Sequence, residues 1–415
     1  MNENDSSSDT VSKRTGSGIP RNFLLLLANA GLSRLGTSAF SAVILWVTLA
    51  LTNSPPLTGL VDGTTSLPLF LSFIIGSYID QSSRKKTLAL VSAIIRPLSL
   101  TVAILALISG NLVAIVASLF FAAFLIGLTS DVLSSIRSSW TKLFLSPDQF
   151  KKGSSFFETT VSIAVAAGSG LSGLILLFGF PEAFAEILLI FLVAFIPILL
   201  IKPSKDSSEN ENGGVKKTAK ESMLEGLSFI RSTRPVVQMI VLTLFANFLF
   251  GTTGVIMTAL VQRIFSLPAS YFGVLFFALS LAMIVGSLAS SRVRGSVGHL
   301  ATLTFLVIGA SLAMIAVSRS IYLDFALMAA IGLMIGIINV VASTAFLKLV
   351  PENMIARVIG SLNTFALGIT FVSGAIGGTL IFLTSVTESL MIVGVLTCAI
   401  ALLSFTFKEL GEMKV

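Results

Sequence analysis

Gly76-Ser-Tyr-Ile-Asp80-Gln-Ser-Ser-Arg84-Lys85-Lys86 is a hydrophilic stretch between two long apolar runs. A weaker version, Gly286-Ser-Leu-Ala-Ser-Ser-Arg292-Val-Arg294-Gly295, follows half a chain later. In both stretches a glycine at the end of one apolar run precedes basic residues and then the next run. The same feature at the same place in two halves predicts a duplicated bundle of membrane helices, an architecture that is common among transporters.

The composition supports a membrane protein. The chain has 415 residues, of which 54% are hydrophobic and only 11% are charged, whereas soluble domains carry about 25% charged residues. The net charge of +7 does not indicate a nucleic-acid partner, because the basic residues lie in short loops beside apolar runs, where they set topology. One cysteine, Cys398, and one histidine, His299, leave no thiolate or His-rich metal site. A cation site built from carboxylates alone remains open, and no cofactor is expected.

The apolar runs predict an all-α integral membrane protein of twelve transmembrane helices in two parallel six-helix repeats. The expected spans are approximately 23–51, 57–79, 87–109, 112–133, 156–180, 183–201, 236–261, 269–288, 300–317, 321–347, 355–383 and 390–407. Around them we predict a disordered tail at 1–20, halves at 21–203 and 234–408, a linker at 204–233 and a tail at 409–415.

The loop charges predict the orientation. Outside the spans, lysine and arginine concentrate on one side of the bundle, and only Arg263 and Arg319 fall on the other. Because basic loops remain in the cytoplasm, we expect both termini and the linker to be cytoplasmic in a multi-pass plasma-membrane protein.

The motif Gly76-x-x-x-Asp80-x-x-x-Arg84-Lys85 resembles the signature between the second and third helices of the major facilitator superfamily. The resemblance extends over about 21–407. Within that superfamily, Ser33-Arg34-Leu35-Gly36-Thr37, Ile95-Arg96 and Val350-Pro351-Glu352-Asn353 resemble the branch that contains macrolide, siderophore and multidrug exporters. This implies proton-coupled efflux of a small amphipathic or apolar compound by a monomer in the lipid bilayer.

One motif departs from that branch. Its fifth helix carries a glycine-rich run with Gly-Pro, whereas this chain has Ala167-Gly168-Ser169-Gly170-Leu171-Ser172-Gly173, with serine in place of proline. A metabolite importer or facilitator therefore stays open, as does a receptor or assembly factor that transports nothing. An enzyme is disfavoured, because we find no nucleophile–base pair, metal cluster or phosphate-binding loop.

Candidate functional residues follow from depth and charge. Arg34, Asn247 and Asn339 lie mid-span, where a polar group needs a partner, so each is either a substrate contact or an interhelical bond. Arg96 is expected to brace the structure or to reach the interface. Asp131 and Glu158, expected near the cytoplasmic ends of their spans, are proton-coupling candidates; the alternative is pairing with nearby basic residues.

The resemblance implies that Asp80 closes the cytoplasmic side against the start of the eleventh helix. The corresponding gating set is Gly76, Asp80, Arg84, Arg292 and Arg294. The alternative is that the basic residues only fix topology.

Two glycine runs predict close helix packing between the halves. They comprise Gly168, Gly170 and Gly173 in the fifth span and Gly374, Gly377 and Gly378 in the eleventh. In the repeat, Gly170 is expected to pair with Gly374 and Gly173 with Gly377.

Overall fold

The computed structural model describes residues 19–71, 75, 79, 82, 84–202, 225, 228–351 and 354–413. The first six helical elements are α1 Arg21–Thr52, α2 Pro55–Thr64, α3 Lys85–Ser109, α4 Leu112–Phe144, α5 Pro147–Ile175 and α6 Phe180–Leu200. The next six are α7 Arg234–Ala259, α8 Ala269–Ala289, α9 Val297–Val317, α10 Ile321–Leu349, α11 Ile355–Leu383 and α12 Val386–Phe405. A short helix, α13, follows at Lys408–Glu412.

The fold is the predicted all-α bundle. Ten of the described helices are long and apolar enough to cross a membrane. The other two predicted spans correspond to α2 with the 3-10 turn that follows it, Leu67–Leu71, and to α11.

The two sets of six helices pack in matching ways. In the first six, α1 packs on α5 and α3 packs on α6; in the second six, α7 packs on α11 and α9 packs on α12. Between the sets, α2 packs along α11 and α5 packs along α8. This is the pattern of two parallel repeats.

Local sequence signals begin and end these helices. Pro55 and Pro147 occupy first-turn positions, where the missing N–H costs nothing. Asn111 accepts hydrogen bonds from the N–H groups of Val113 and Ala114 at the start of α4. The preceding helix ends at Gly110, whose φ of 68° suits glycine.

The second span is not one continuous α-helix, contrary to the prediction. After Thr64 the chain turns through Thr65 and Ser66 into the 3-10 segment. The backbone N–H and the side chain of Thr65 both donate to the carbonyl of Asp62, and Pro68 has no N–H to donate. The Thr65 hydroxyl competes with the backbone for the Asp62 carbonyl, and Pro68 cannot donate a helical hydrogen bond, so the α-helix is interrupted here.

The fourth helix is longer than predicted. It continues to Phe144 rather than ending near residue 133, because no glycine or proline interrupts the sequence before Pro147. Asp131 therefore lies inside α4 and not in its last turn.

The end of the chain is partly anchored. Leu410 of α13 is fully buried, and the backbone N–H of Val297 donates to the carbonyl of Met413 over 2.9 Å. Gln238 of α7 donates to the Glu409 carboxylate. The predicted tail therefore contains a helix that is docked against α9 and α7.

Candidate functional site

The bundle has two ends, which we name by a residue at each. The Asn53 end carries the turns after α1, α3, α5, α7, α9 and α11. The Arg84 end carries Pro20 and the starts of α3, α5, α7, α9 and α11. The contacts between the two sets of six helices differ between these ends.

At the Asn53 end the two sets are joined directly. Gln262 donates from Nε2 to the carbonyl of Trp46 over 2.9 Å. Arg263 donates from Nη2 to the carbonyl and to Oδ1 of Asn53, over 2.8 and 2.7 Å. The rings of Trp46 and Phe272 lie 5.7 Å apart. This end is closed.

At the Arg84 end, hydrogen bonds between described residues stay within one set. Lys85 donates to Ser139 of α4 over 2.7 Å, and Lys86 donates to the carbonyls of Leu199 and Ile201 after α6. These lysines therefore fasten α3 to α4 and α6, with Lys86 occupying the carbonyls at a helix C-terminus. The sequence had suggested only a topological role for them.

Glycines allow close backbone approaches between the sets. A Cβ at Gly374 of α11 would lie 2.6 Å from the carbonyl oxygen of Gly59 in α2. Gly378 lies even more tightly against the carbonyl of Pro55. A side chain larger than hydrogen at either position requires the backbones to separate.

The α5 glycines pack against two neighbours. Gly168 lies against the Leu35 carbonyl of α1. A Cβ at Gly170 would lie 2.9 Å from the Phe277 ring of α8, and one at Gly173 would lie 2.7 Å from the Ala269 carbonyl. Helix α5 is thus held between α1 of its own set and α8 of the other.

The expected glycine pairing holds at one position. Gly170 and Gly374 both face the opposite set. Gly173 also faces the opposite set, but a Cβ at Gly377 would lie 2.9 Å from the carbonyl of Thr252 in its own set. Gly378 takes the position across the interface, against the Pro55 carbonyl of α2.

Arg34 and Asn247 lie below this closed end. Leu45 of α1 is in contact distance of Gly254 of α7, with 3.6 Å between the leucine Cδ1 and a Cβ built at the glycine. Arg34 precedes Leu45 by about three turns, and Asn247 precedes Gly254 by about two turns, each on the same helix face. Both side chains are half-buried. They therefore face the space between the two sets.

Asn247 is satisfied within its own helix. Its Nδ2 donates to the carbonyl of Thr243 over 2.9 Å, which leaves the side-chain oxygen available. Asn339 is exposed on α10, on the stripe that carries Gly332 and Gly336 and packs on α8. No described contact brings Asn339 to Arg34 or Asn247.

Glu158 is close enough to Arg34 to interact with it electrostatically. It is exposed and lies about two turns before Val165, whose carbonyl accepts a hydrogen bond from Ser38 of α1. Because α5 begins at Pro147, Glu158 lies three turns inside the helix and not near its end. Asp131 is half-buried in α4 and also has an interaction partner.

Arg96 is an interior residue and does not reach the interface. Only 2% of it is exposed. Its Nε donates to Thr129 over 3.0 Å and its Nη2 donates to Ser130 over 2.8 Å. The guanidinium carbon lies 5.1 Å from the centre of the Phe191 ring. Arg96 thus braces α3 against α4 and α6.

Sequence reasoning missed Arg137 and Asn29. Arg137 is 5% exposed in α4, and its Nε donates to Oδ1 of Asn29 over 3.0 Å. Asn29 is 2% exposed, and its Nδ2 donates to the carbonyl of Ala194 over 2.7 Å. The predicted fourth span, 112–133, ends before Arg137, so the sequence prediction leaves this residue outside the membrane. The sequence signal that α4 continues through Arg137 is the absence of glycine and proline between Asp131 and Ser146.

The gating set is only partly described. Gly76 and Asp80 lie outside the described residues. Arg84 precedes the first turn of α3 and is exposed, and Arg292 and Arg294 are exposed between α8 and α9.

The chain is similar to known transporters. The model of the Major Facilitator Superfamily matches residues 26–375. A POT family transporter crystallised with 5-aminolevulinic acid has a TM-score of 0.72 at 14% identity, covering 94% of this chain and 96% of that chain. The nucleoside transporter NupG has a TM-score of 0.71 at 11% identity, covering 94% and 100%. At these identities the likeness concerns the fold. A search of curated protein sequences finds no match.

The sequence match covers more than half of the chain, and the two packed sets of six helices agree with it. This chain belongs to the Major Facilitator Superfamily.

Proposed function

We propose that this secondary transporter exports a small amphipathic or apolar compound in exchange for protons, by alternating access between the two sets of helices. The observation that carries the proposal is the closed Asn53 end with Arg34 and Asn247 facing the space below it. A carrier needs such a seal on one side of a site and a way to reverse it.

The loop charges place the Asn53 end outside the cell and the Arg84 end in the cytoplasm. In that orientation the observed contacts close the outer side, as expected for an inward-facing form, and Glu158 is exposed. Glu158 and Asp131 are our candidates for proton exchange. Since Glu158 interacts with Arg34, its protonation would change the charge of the space where the compound binds.

Export is favoured by the resemblance of the Arg34 and Arg96 motifs to the exporter branch. Ser169, which stands where that branch has proline, favours a metabolite importer or facilitator as the second candidate. Its hydroxyl lies 2.9 Å from that of Ser38 and donates to the carbonyl of Val165. The α1–α5 contact is therefore made through hydroxyl groups, which a proline side chain does not have.

We also propose that Gly76, Asp80 and Arg84, with Arg292 and Arg294, hold the Arg84 end closed in the opposite state. The exposure of all three arginines in a form closed at the Asn53 end supports this assignment. A carboxylate at Asp80 that meets the N-terminus of α11 would contribute about 0.3–1 kcal/mol when exposed.

The experiment is accumulation of fluorescent dyes and drugs in cells with and without the protein, each with and without a proton uncoupler. We expect Arg34→Ala and Asn247→Ala to restore accumulation, with the protein still folded in the membrane. Asn339→Ala tests the third candidate. Normal export by all three variants would rule out this site.

A further inference from the structure

The interior of the first six helices contains three guanidinium groups. Arg34, Arg96 and Arg137 lie on α1, α3 and α4 and are close enough for their charges to repel one another. Arg96 and Arg137 are almost fully buried, whereas Arg34 is half-buried and faces the space between the sets. Charges within a membrane protein are costly and normally have a partner of opposite charge.

The hydrogen-bond partners of Arg96 and Arg137 are neutral. Arg96 binds two hydroxyl groups and an aromatic ring, and Arg137 binds the amide of Asn29. Nη1 of Arg96 and Nη2 of Arg137 are buried without a hydrogen-bond partner. In the described part of the chain, Arg34 makes no hydrogen bond and no carboxylate lies within 4.0 Å of its guanidinium. Two guanidinium groups are thus incompletely satisfied, and the one that faces the space is open.

The charges around them do not balance. Among the described residues, Glu158 acts electrostatically on Arg34 and Asp131 lies inside α4. Even when both are ionised, these two carboxylates do not balance three guanidinium groups. Helices α7 to α12 carry charged residues only in their terminal turns. The space between the sets is therefore positive on one wall and neutral on the other.

We propose that Arg34 forms an anion-binding subsite, backed by the positive charge of Arg96 and Arg137, so that the compound which this carrier moves is an amphipathic acid. A carboxylate, sulfonate or phosphate ester would accept the charged hydrogen bonds that Arg34 has free. Its apolar part would lie along the neutral wall formed by α7. That the bound compound is transported rests on the proposed function, whereas the anion site itself is tested by binding alone.

The test compares two dyes that share a xanthene ring system and differ in charge. Fluorescence polarisation of fluorescein, an anion, and of rhodamine 6G, a cation, is measured with the purified protein in neutral detergent. Unlabelled octanoate and octyltrimethylammonium serve as competitors. The variants are Arg34→Gln, Arg34→Lys and, as the control that removes an exposed arginine elsewhere, Arg319→Gln.

We expect fluorescein to bind more tightly than rhodamine 6G, and octanoate to displace it while octyltrimethylammonium does not. Arg34→Gln should weaken fluorescein binding at least about tenfold, as expected for a lost charged hydrogen bond. Arg34→Lys should recover part of the affinity, because it keeps the charge and loses the two-pronged geometry. Arg319→Gln should bind as the unchanged protein does.

Three results would overturn the proposal. The unchanged protein could prefer rhodamine 6G, it could fail to bind either fluorescein or octanoate, or Arg34→Gln could leave the affinity for fluorescein unchanged. The competition on the unchanged protein keeps the test valid if Arg34→Gln fails to fold. Displacement by phosphatidylglycerol but not by octanoate would show a lipid-headgroup site and would also overturn the assignment. Loss of transport with retained anion binding would count against the proposed function alone.

Discussion

The contact between α2 and α11 predicts a substitution that shifts the carrier between its two forms. In Gly374→Ala the new Cβ would lie 2.6 Å from the Gly59 carbonyl oxygen, whereas ordinary van der Waals contact begins at 3.4 Å, so the helices must separate by about 0.8 Å. Both partners are backbone atoms on packed helices, so local side-chain adjustment cannot relieve the clash. Overpacking of this kind costs about 1–3 kcal/mol.

The substitution destabilises the form that is closed at the Asn53 end, because the contact between Gly374 and Gly59 is present in that form. A loss of 1.4 kcal/mol changes an equilibrium tenfold, so Gly374→Ala should raise the ratio of the form open at the Asn53 end about 5- to 150-fold. Gly254→Ala is the matched control. It also lies between the sets at this end, but its Cβ would be 3.6 Å from Leu45, an ordinary contact.

The assay is a spin-label distance distribution across the Asn53 end. Labels at positions 113 and 322, where Val113 is 79% exposed and Tyr322 is 72% exposed, report the separation of the two sets. The single cysteine, Cys398, is replaced in all samples. Gly374→Ala should populate a longer distance, and Gly254→Ala should not. Equal distributions in both variants would refute the reasoning from backbone contact.

Three further predictions concern other parts of the bundle. Arg137→Ala should lower the apparent thermal stability, because it leaves Oδ1 of buried Asn29 without its donor at a cost of about 1–3 kcal/mol. Removal of exposed Lys142 should have little effect. Equal melting temperatures for the two variants would contradict this. Arg263→Gln should shift the equilibrium toward the form open at the Asn53 end by at most about 1 kcal/mol, since the pair with Asn53 is exposed. The same spin-label distances measure this shift, and Arg319→Gln should leave them unchanged. Equal shifts in both variants would show that the bonds to Asn53 do not hold this end closed. A reporter fused after Lys216 should read cytoplasmic and one near Ser320 external; the reverse result would overturn the orientation derived from the loop charges.

The sequence predicted the helix order and the repeat because apolar length is a strong signal in a membrane protein. It predicted α11 to the residue, and α8 and α10 within two residues of the observed ends. It failed where polar residues lie inside a helix. The segment Asp131-Val-Leu-Ser-Ser-Ile-Arg137 resembles a loop in composition, but α4 continues through it, and a buried hydrogen bond to Asn29 satisfies Nε of Arg137.

Mid-span depth selects Arg34 and Asn247 as cavity candidates. Each lies on the helix face that carries the Leu45–Gly254 contact between α1 and α7. Three features depend on which helices are neighbours: the neutral partners of Arg96, the second bond made by Asn29, and the electrostatic effect of Glu158 on Arg34. A single sequence does not contain that information.

Transport in inside-out membrane vesicles with an acidic lumen tests the central claim most directly. The dye and drug panel is added outside, and accumulation in the lumen is compared for the unchanged protein, Arg34→Ala and Arg319→Gln. We expect a compound to accumulate in a protein-dependent way, an uncoupler or Arg34→Ala to abolish that accumulation, and Arg319→Gln to preserve it. Accumulation that persists without a proton gradient, or no protein-dependent movement of any compound, would contradict proton-driven export.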